Sequence, residues 1–281
     1  MQQHTFTSPI GGAPIYYLPE TESTMSVARA VVADGAPSGV VILTDFQTAG
    51  RGRLPDRQWV SPAGESLMFT VAIKEPKPRA MPLRAGLAVA LTLESICNLR
   101  PQLKWPNDVL VADRKVCGIL CEYSEPWLYV GIGLNVLQRH FPEDLAGRAT
   151  SVALETEVAR GVLPDRDLLL KGILSQLGDE QSDWREQVDR RLWRKGERTT
   201  IARVDGSRLV GTVVGVDEEG SLIVARAGTQ IRIAAGELSF FGESGEAPRL
   251  RARSQALSEA LPKVGWTGGD QSLQPPRSRH P

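Results

Sequence analysis

LKWPNDVLVADRKVCGILCEYSEPWLYVGIGLN, residues 103–135, decides the fold. It divides into Leu103-Lys104-Trp105, Val109-Leu110-Val111, Val116 to Tyr123 and Trp127 to Leu134, four short runs rich in β-branched and apolar residues. Asp113-Arg114 and Ser124-Glu125-Pro126 supply turns between them. Strands this close in sequence join as hairpins, because a parallel pair needs a crossover of about a dozen residues or more. The expected sheet is therefore largely antiparallel or mixed, not a doubly wound parallel one.

Elements on either side complete an α+β pattern. Ile15-Tyr16-Tyr17-Leu18 predicts a strand, and Ser23 an N-cap for a helix through Val27, Ala28 and Val31 that ends near Gly35. Gly39 to Phe46 and Leu67 to Ile73 predict strands, Pro82 to Asn98 a helix with Leu83, Leu87, Ala90 and Leu91 on one face. Asp165 to about Arg191 is expected to return to helix. Beyond Gly196, Thr200 to Val204, Leu209 to Val216, Leu222 to Ala225 and Gln230 to Ala234 form a strand-rich unit of about 45 residues, the size of a small barrel. Its thin core should lean on the larger domain. From Gly242 the chain turns Gly-, Pro-, Ser- and Arg-rich and is expected to be mostly disordered, apart from one helical turn at Ala256 to Leu261. The expected domains are 1–194, 195–242 and a tail, 243–281.

Bulk properties narrow the function. The chain has 281 residues, 41% hydrophobic, with a formal net charge of zero, which argues against nucleic-acid binding driven by global charge. No apolar run reaches the roughly 18 residues of a membrane span. Met1 to Pro14 carries no signal segment, and three cysteines suit a reducing compartment, so a cytoplasmic location is expected. Cys117 and Cys121 share one strand face with no histidine nearby, which sets a metal site aside.

Two stretches carry chemistry. Gly50-Arg51-Gly52-Arg53 lies in the long loop Gln47 to Ser66; glycine lets backbone bend and approach a ligand, and arginine offers a planar fork of donors for carboxylate or phosphate. Lys104-Trp105-Pro106-Asn107-Asp108, then Lys115 and Gly118-Ile119-Leu120, place charges around bare backbone, a device repeated at Gly131-Ile132-Gly133-Leu134-Asn135. Trp59 and Trp105 are expected to pack and to wall the pocket, and Glu122 to be structural.

Together with Glu22-Ser23-Thr24, Gln47 and Trp59, these pieces resemble, in order and spacing, the biotin protein ligase family over residues 15–240. Gly211 to Val224 resembles that family's SH3-like C-terminal domain. The resemblance implies a class II aminoacyl-tRNA synthetase-like catalytic domain with a mixed sheet and helices, followed by a small SH3-like β-barrel. It implies activation of biotin with ATP and Mg²⁺ to biotinyl-5′-AMP, then transfer to a lysine of a biotin carboxyl carrier protein of a carboxylase. By the same resemblance Lys115, Arg53, Arg51 and Asp108 are catalytic. Ser23, Thr24, Gln47, Gly50, Gly52 and Gly118, with Arg51, Arg53 and Lys115, hold biotin. Arg53, Trp59, Asn107, Lys115 and Asn135 hold the adenylate, and Asp108 a magnesium ion or the carrier amine. Adenylation brings a carboxylate against an anionic phosphate. One cation at about 4 Å contributes roughly 4 kcal/mol at an effective dielectric near 20, so losing Lys115 or Arg53 should cost about 10²–10³ in rate.

The chain departs from the family pattern at Met25, where an asparagine commonly stands, and at Leu54-Pro55-Asp56-Arg57, which interrupts the arginine-rich loop. No helix-turn-helix pattern precedes residue 15, so no DNA role is expected; an exposed sheet edge suits a homodimer. Two alternatives compete: a lipoate or octanoate ligase or transferase of the same superfamily, favoured by Met25, and a non-catalytic protein, either a small-molecule sensor on a degenerate ligase fold or a barrel-based interaction module, disfavoured by the presence of both Lys115 and Arg53.

Overall fold

A computed structural model describes residues 1–54, 57–74, 80–158, 165–179 and 182–238. Pro55 and Asp56 of the loop interruption, and the tail with its expected helical turn, lie outside the described residues. In chain order the elements are β1 (Gln2–Gln3), β2 (Ile15–Thr21), α1 (Thr24–Ala33), β3 (Val40–Gln47), β4 (Ser66–Lys74), α2 (Met81–Cys97), β5 (Gln102–Lys104), β6 (Asp108–Val111), β7 (Arg114–Ser124) and β8 (Trp127–Asn135). There follow α3 (Val152–Val158), α4 (Arg166–Gly178), α5 (Trp184–Arg191), β9 (Arg198–Arg203), β10 (Arg208–Val216), β11 (Leu222–Arg226), β12 (Thr229–Ile233) and β13 (Gly236–Leu238). The expected helix from Asp165 to Arg191 is two helices. β1, α3 and β13 had no signal in the sequence pattern.

The first eight strands form one mixed sheet in the order β1-β2-β3-β4-β8-β7-β6-β5. β2 and β3 are parallel, as their crossover α1 requires; the other neighbours are antiparallel. Strand alternation sorts the two faces. Val41, Leu43, Phe69, Cys117, Ile119, Val130, Ile132 and Leu134 join the core cluster of α2 and α4. Ile42, Ala72 and Tyr129 pack with Met25 and Ala28 of α1 on the opposite face. Cys117 is thus a core residue, as its strand spacing suggested. The sheet edge at β5 is partly closed, where Trp193 N–H donates to Leu103 O at 2.9 Å.

The last five strands form an antiparallel sheet, β12-β11-β10-β9-β13. Its apolar side, including Ile201, Leu209, Val213, Val224 and Leu238, is continuous with the main core, so the small unit does lean on the larger one. Two polar contacts fasten it. The Trp105 indole N–H donates to Gly220 O at 2.9 Å, and Val216 N–H donates to Asp189 Oδ1 at 3.0 Å. Trp105 is buried by this docking and packs in the shared core, the packing expected of it.

Candidate functional site

The site is built on one transverse row of the sheet. Cross-strand partners run Thr44, Met68, Gly133, Gly118, Asp108 and Lys104, and partners in register present side chains to the same face. The middle of this row is bare because both central residues are glycine. Ile42, Thr70, Gly131 and Leu120 form the next row on the same face. A floor of side-chain-free backbone therefore lies between uncharged Thr44 and Met68 on one side and charged Asp108 and Lys104 on the other.

A bulge brings Lys115 to that floor. Asp108 pairs with Gly118 and Val109 with Cys117, but Leu110 pairs with Lys115, which leaves Val116 unpaired in β7. The extra residue reverses the alternation. Without it Lys115 would share the buried face of Cys117; with it, the ammonium reaches over Gly118, where a β-carbon would lie 3.1 Å from Nζ. The β6–β7 turn at Ala112 and Asp113, both at positive φ, is held by the Trp193 indole donating to Asp113 Oδ1 at 2.8 Å. Lys115 N–H donates to Arg148 O, and Lys115 O accepts from Thr150 N–H, both at 2.8 Å.

Asp108 organises the ammonium groups. Its Oδ1 lies 2.7 Å from Lys115 Nζ and its Oδ2 3.7 Å from Lys104 Nζ. Lys104 is 1% exposed and Asp108 11%, whereas Lys115 remains one-third open. Both carboxylate oxygens thus face lysines, and among the described residues no group of three His, Cys, Asp or Glu comes together as a metal site. That arrangement suits Asp108 to placing ammonium groups.

The loop after β3 folds back on itself. Arg51 bridges antiparallel to Gln58, Gly52 N–H donates to Arg57 O at 2.8 Å, and Trp59 N–H to Gly50 O at 3.0 Å. A β-carbon would lie 2.4 Å from Trp59 O at Gly50 and 2.8 Å from Arg57 Cβ at Gly52. These glycines serve close approach of the two arms rather than bending alone. The return arm carries Trp59 onto the floor, where β-carbons at Gly133 and Gly118 would lie 2.6 and 3.1 Å from its ring atoms. Its ring centroid is 5.8 Å from Lys115 Nζ, within cation–π range, and its indole nitrogen is buried with no partner in the protein.

Arg51 and Arg53 each rest against a carboxylate. Arg51 Nη2 is 3.3 Å from Glu122 Oε1, while Glu122 Oε2 takes Arg29 at 2.7 Å. Arg53 Nη2 is 3.8 Å from Glu237 Oε2 and donates to Gly236 O at 3.2 Å. Glu122, expected to be structural, therefore faces a site arginine as well. Glu237 belongs to β13, and its other oxygen accepts from Lys104 at 3.0 Å.

At the start of α1, Thr24 N–H and Oγ1–H both donate to Gln47 Oε1, at 2.9 and 3.2 Å, and Thr24 Oγ1 is 2.8 Å from Thr70 Oγ1. Ser23 occupies the N-cap position in extended backbone, yet its hydroxyl makes no cap bond. Met25 lies over Gly131, whose β-carbon would fall 3.1 Å from its Cε. The two asparagines are used within the protein. Asn107 Nδ2 donates to Ile119 O at 2.7 Å; Asn135 Nδ2 donates to Thr150 O at 3.0 Å, and its Oδ1 accepts from Gln138 Nε2 at 3.3 Å. Asn135 is buried in a cluster with Ser61, Ser66 and Gln138, whereas Asn107 is half-buried.

Of the predicted residues, the structure gathers Ser23, Thr24 and Gln47 at one end of the floor, Gly118 and Trp59 at its centre, and Lys115 and Asp108 at the other end. Arg51 and Arg53 lie on the folded-back loop. Missed were Thr70, Arg29, Lys104 as a paired buried cation, and Glu237. Register alone could have found Thr70; the others depend on contacts between elements distant in sequence.

Known proteins are similar to this chain in sequence and in fold. The sequence model of the Biotin/lipoate A/B protein ligase family matches residues 17–136. The chain is 32% identical over 235 residues to the biotin–[acetyl-CoA-carboxylase] ligase of Mycobacterium tuberculosis, covering 78% of this chain and 86% of that protein. A ligase of the same name from Paracoccus denitrificans is 31% identical over 252 residues, covering 80% of this chain and all of its own length. The structure is similar to the biotin protein ligase of Aquifex aeolicus in complex with biotin and ATP, with a TM-score of 0.70 and 30% identity over 80% of this chain and 97% of that one.

Proposed function

This chain belongs to the biotin/lipoate A/B protein ligase family, and from that premise we propose that it activates biotin with ATP and transfers it to a lysine of a carrier protein. The observation that carries the reading is the glycine-floored row with Lys115 re-aimed onto it by the β7 bulge. A flat heterocycle can lie on bare backbone while its acid group meets a cation.

Two anions must meet in the first step. The biotin carboxylate attacks the α-phosphate of ATP, and pyrophosphate leaves as biotinyl-5′-AMP forms. Lys115 lies between the expected positions of the two anions and neutralises both. Arg51 and Arg53 exchange their resting carboxylates, Glu122 and Glu237, for the incoming anions. Asp108 holds Lys115 in place. Magnesium arrives with ATP as part of the substrate. Thr24, Gln47 and Ser23 direct polar groups toward the ureido ring, with Thr70 setting the Thr24 hydroxyl. The Trp59 indole leaves the floor when a ring takes its place, and its unpartnered nitrogen gains a chance to donate. Closing the loop over the acyl-adenylate excludes water. In the second step the carrier's lysine amine attacks the acyl carbon and AMP leaves. The names of the relatives point to the carrier domain of acetyl-CoA carboxylase as acceptor.

Residues 1–194 are read as the catalytic domain, of the class II synthetase-like type, and 195–242 as an SH3-like domain; the five-stranded sheet supports the latter. No helix among the described residues is long and apolar enough to cross a membrane. Pyrophosphate release from ATP tests the reading: release with biotin and not with lipoate or octanoate is expected. Release with lipoate alone, or with neither acid, contradicts it.

A further inference from the structure

We propose that Glu237, on the last described strand of the C-terminal sheet, is a positioning residue for adenylate formation. The proposal rests on the biotin-activating reading above. It acts on the reacting ammonium through Lys104 and Asp108, and it is the resting partner of Arg53.

Five charged groups alternate in sign through the site. Lys115 Nζ is 2.7 Å from Asp108, Asp108 is 3.7 Å from Lys104, Lys104 is 3.0 Å from Glu237, and Glu237 is 3.8 Å from Arg53. The two oxygens of one carboxylate thus join the strand that carries the catalytic hairpin to the arginine loop. Lys104 is almost fully buried, and a buried ammonium needs anionic partners. It has a carboxylate on each side. Removing the Glu237 charge shifts more of the demand of Lys104 onto Asp108, the group that also holds Lys115. Asp108 is then drawn toward Lys104, and Lys115 loses its aim. A misplacement of about 1 Å at a reacting group can cost on the order of 100-fold in rate.

The position of Glu237 is set by the C-terminal sheet, not by the loop or the hairpin. Gly236, Glu237 and Leu238 pair with Arg203, Ala202 and Ile201 of β9, and Leu238 is buried in the shared core. Gly236 lets β13 approach closely: a β-carbon there would fall 2.6 Å from Ala202 O and 3.4 Å from Trp105 Cζ3. The sheet therefore grips the Lys104-Trp105 strand end twice, through Trp105 to Gly220 and through Lys104 to Glu237. None of these contacts reaches the Thr24–Gln47 end of the floor, so the effect should fall on the chemical step and not on ring recognition.

The test measures biotin binding in the absence of ATP, and single-turnover formation of biotinyl-AMP, in the full chain. Glu237→Gln is expected to slow adenylate formation by about 30- to 100-fold while biotin affinity stays within about threefold. Glu237→Asp keeps the charge but, one methylene shorter, cannot satisfy both cations. It should be slowed by about three- to tenfold, with biotin binding unchanged. An unchanged rate in Glu237→Gln, or parallel losses of rate and biotin affinity that Asp does not relieve, overturns the proposal. Should Glu237→Gln fail to fold, Glu237→Asp decides, and a rate within about twofold of the native enzyme overturns it. A native protein that makes no adenylate from biotin brings down the functional reading itself, and this proposal with it.

Discussion

Lys115 and Arg53 carry the same charge toward the same floor, yet they are held by different means. The position of Lys115 is written into the backbone: a bulge turns it to the correct face, Leu110 of β6 pairs with it on one side, and its amide and carbonyl bond to the segment 148–150 on the other. Arg53 and Arg51 sit on a folded-back loop and are held by side-chain ion pairs at 3.8 and 3.3 Å, with side chains 30% and 50% exposed. Ion pairs this open contribute about 0–1 kcal/mol each. One cation is thus built in and two are parked. The parked ones can change partners when a substrate anion arrives, and that exchange is what a closing loop needs.

The sharpest way to break this comparison is to remove each kind of cation. Lys115→Ala should lower the rate of adenylate formation by about 10²–10³ with little change in melting temperature, and Arg53→Ala by about 10². Wild-type turnover in either variant would remove its assigned role. The floor comes next. Gly133→Ala places a methyl group where the indole or a substrate ring must lie, 2.6 Å from Trp59 Cε2. It should raise the KM for biotin by about tenfold and lower kcat much less. An unchanged KM would mean that no ring rests there.

A smaller effect sharpens the idea of parking. Glu122→Gln takes away the resting partner of Arg51 but touches nothing on the floor. A change in KM of about two- to fivefold, with stability preserved, is expected; a loss as large as that of Lys115→Ala would make Glu122 part of the catalytic machinery. The least effect is expected from the thiols. Burial pushes Cys97 up to about 11 and Cys121 up to about 12. Alkylation at pH 8 should therefore be slow until the protein unfolds. A thiol pKa that is higher in the folded state means that the native protein keeps its proton longer. Its contribution to stability is full below the unfolded value, about pH 8.5, and is lost as pH rises through the folded value near 11–12. Denaturant midpoints measured from pH 8 to pH 11 check the sign: they should fall.

What was legible in the sequence follows the same division. Features set by the local backbone could be read. The four runs between Leu103 and Leu134 became β5 to β8, and Gly118 and Gly133 mark the bare backbone that a spacing argument anticipates. Thr24 and Gln47 meet because β2 and β3 are parallel neighbours joined by α1. Features set by contacts between distant elements could not. Nothing near Glu237 announces that a three-residue strand will carry it to Lys104, 133 positions away. That Trp105 is a packing residue could be read, but not that its indole docks a sheet that lies more than a hundred residues later. Asn107 and Asn135 sit in motif positions, and only the hydrogen bonds show that their amides brace the protein itself.

The most direct measurement is a structure of the protein with biotin and a non-hydrolysable ATP analogue. The account predicts Trp59 lifted from Gly118 and Gly133, a ring in its place, and Lys115 Nζ within hydrogen-bond distance of both the carboxylate and the α-phosphate, with Arg51 and Arg53 turned away from Glu122 and Glu237. Ligands bound elsewhere while the indole stays on the glycines and both arginines keep their carboxylates would contradict it.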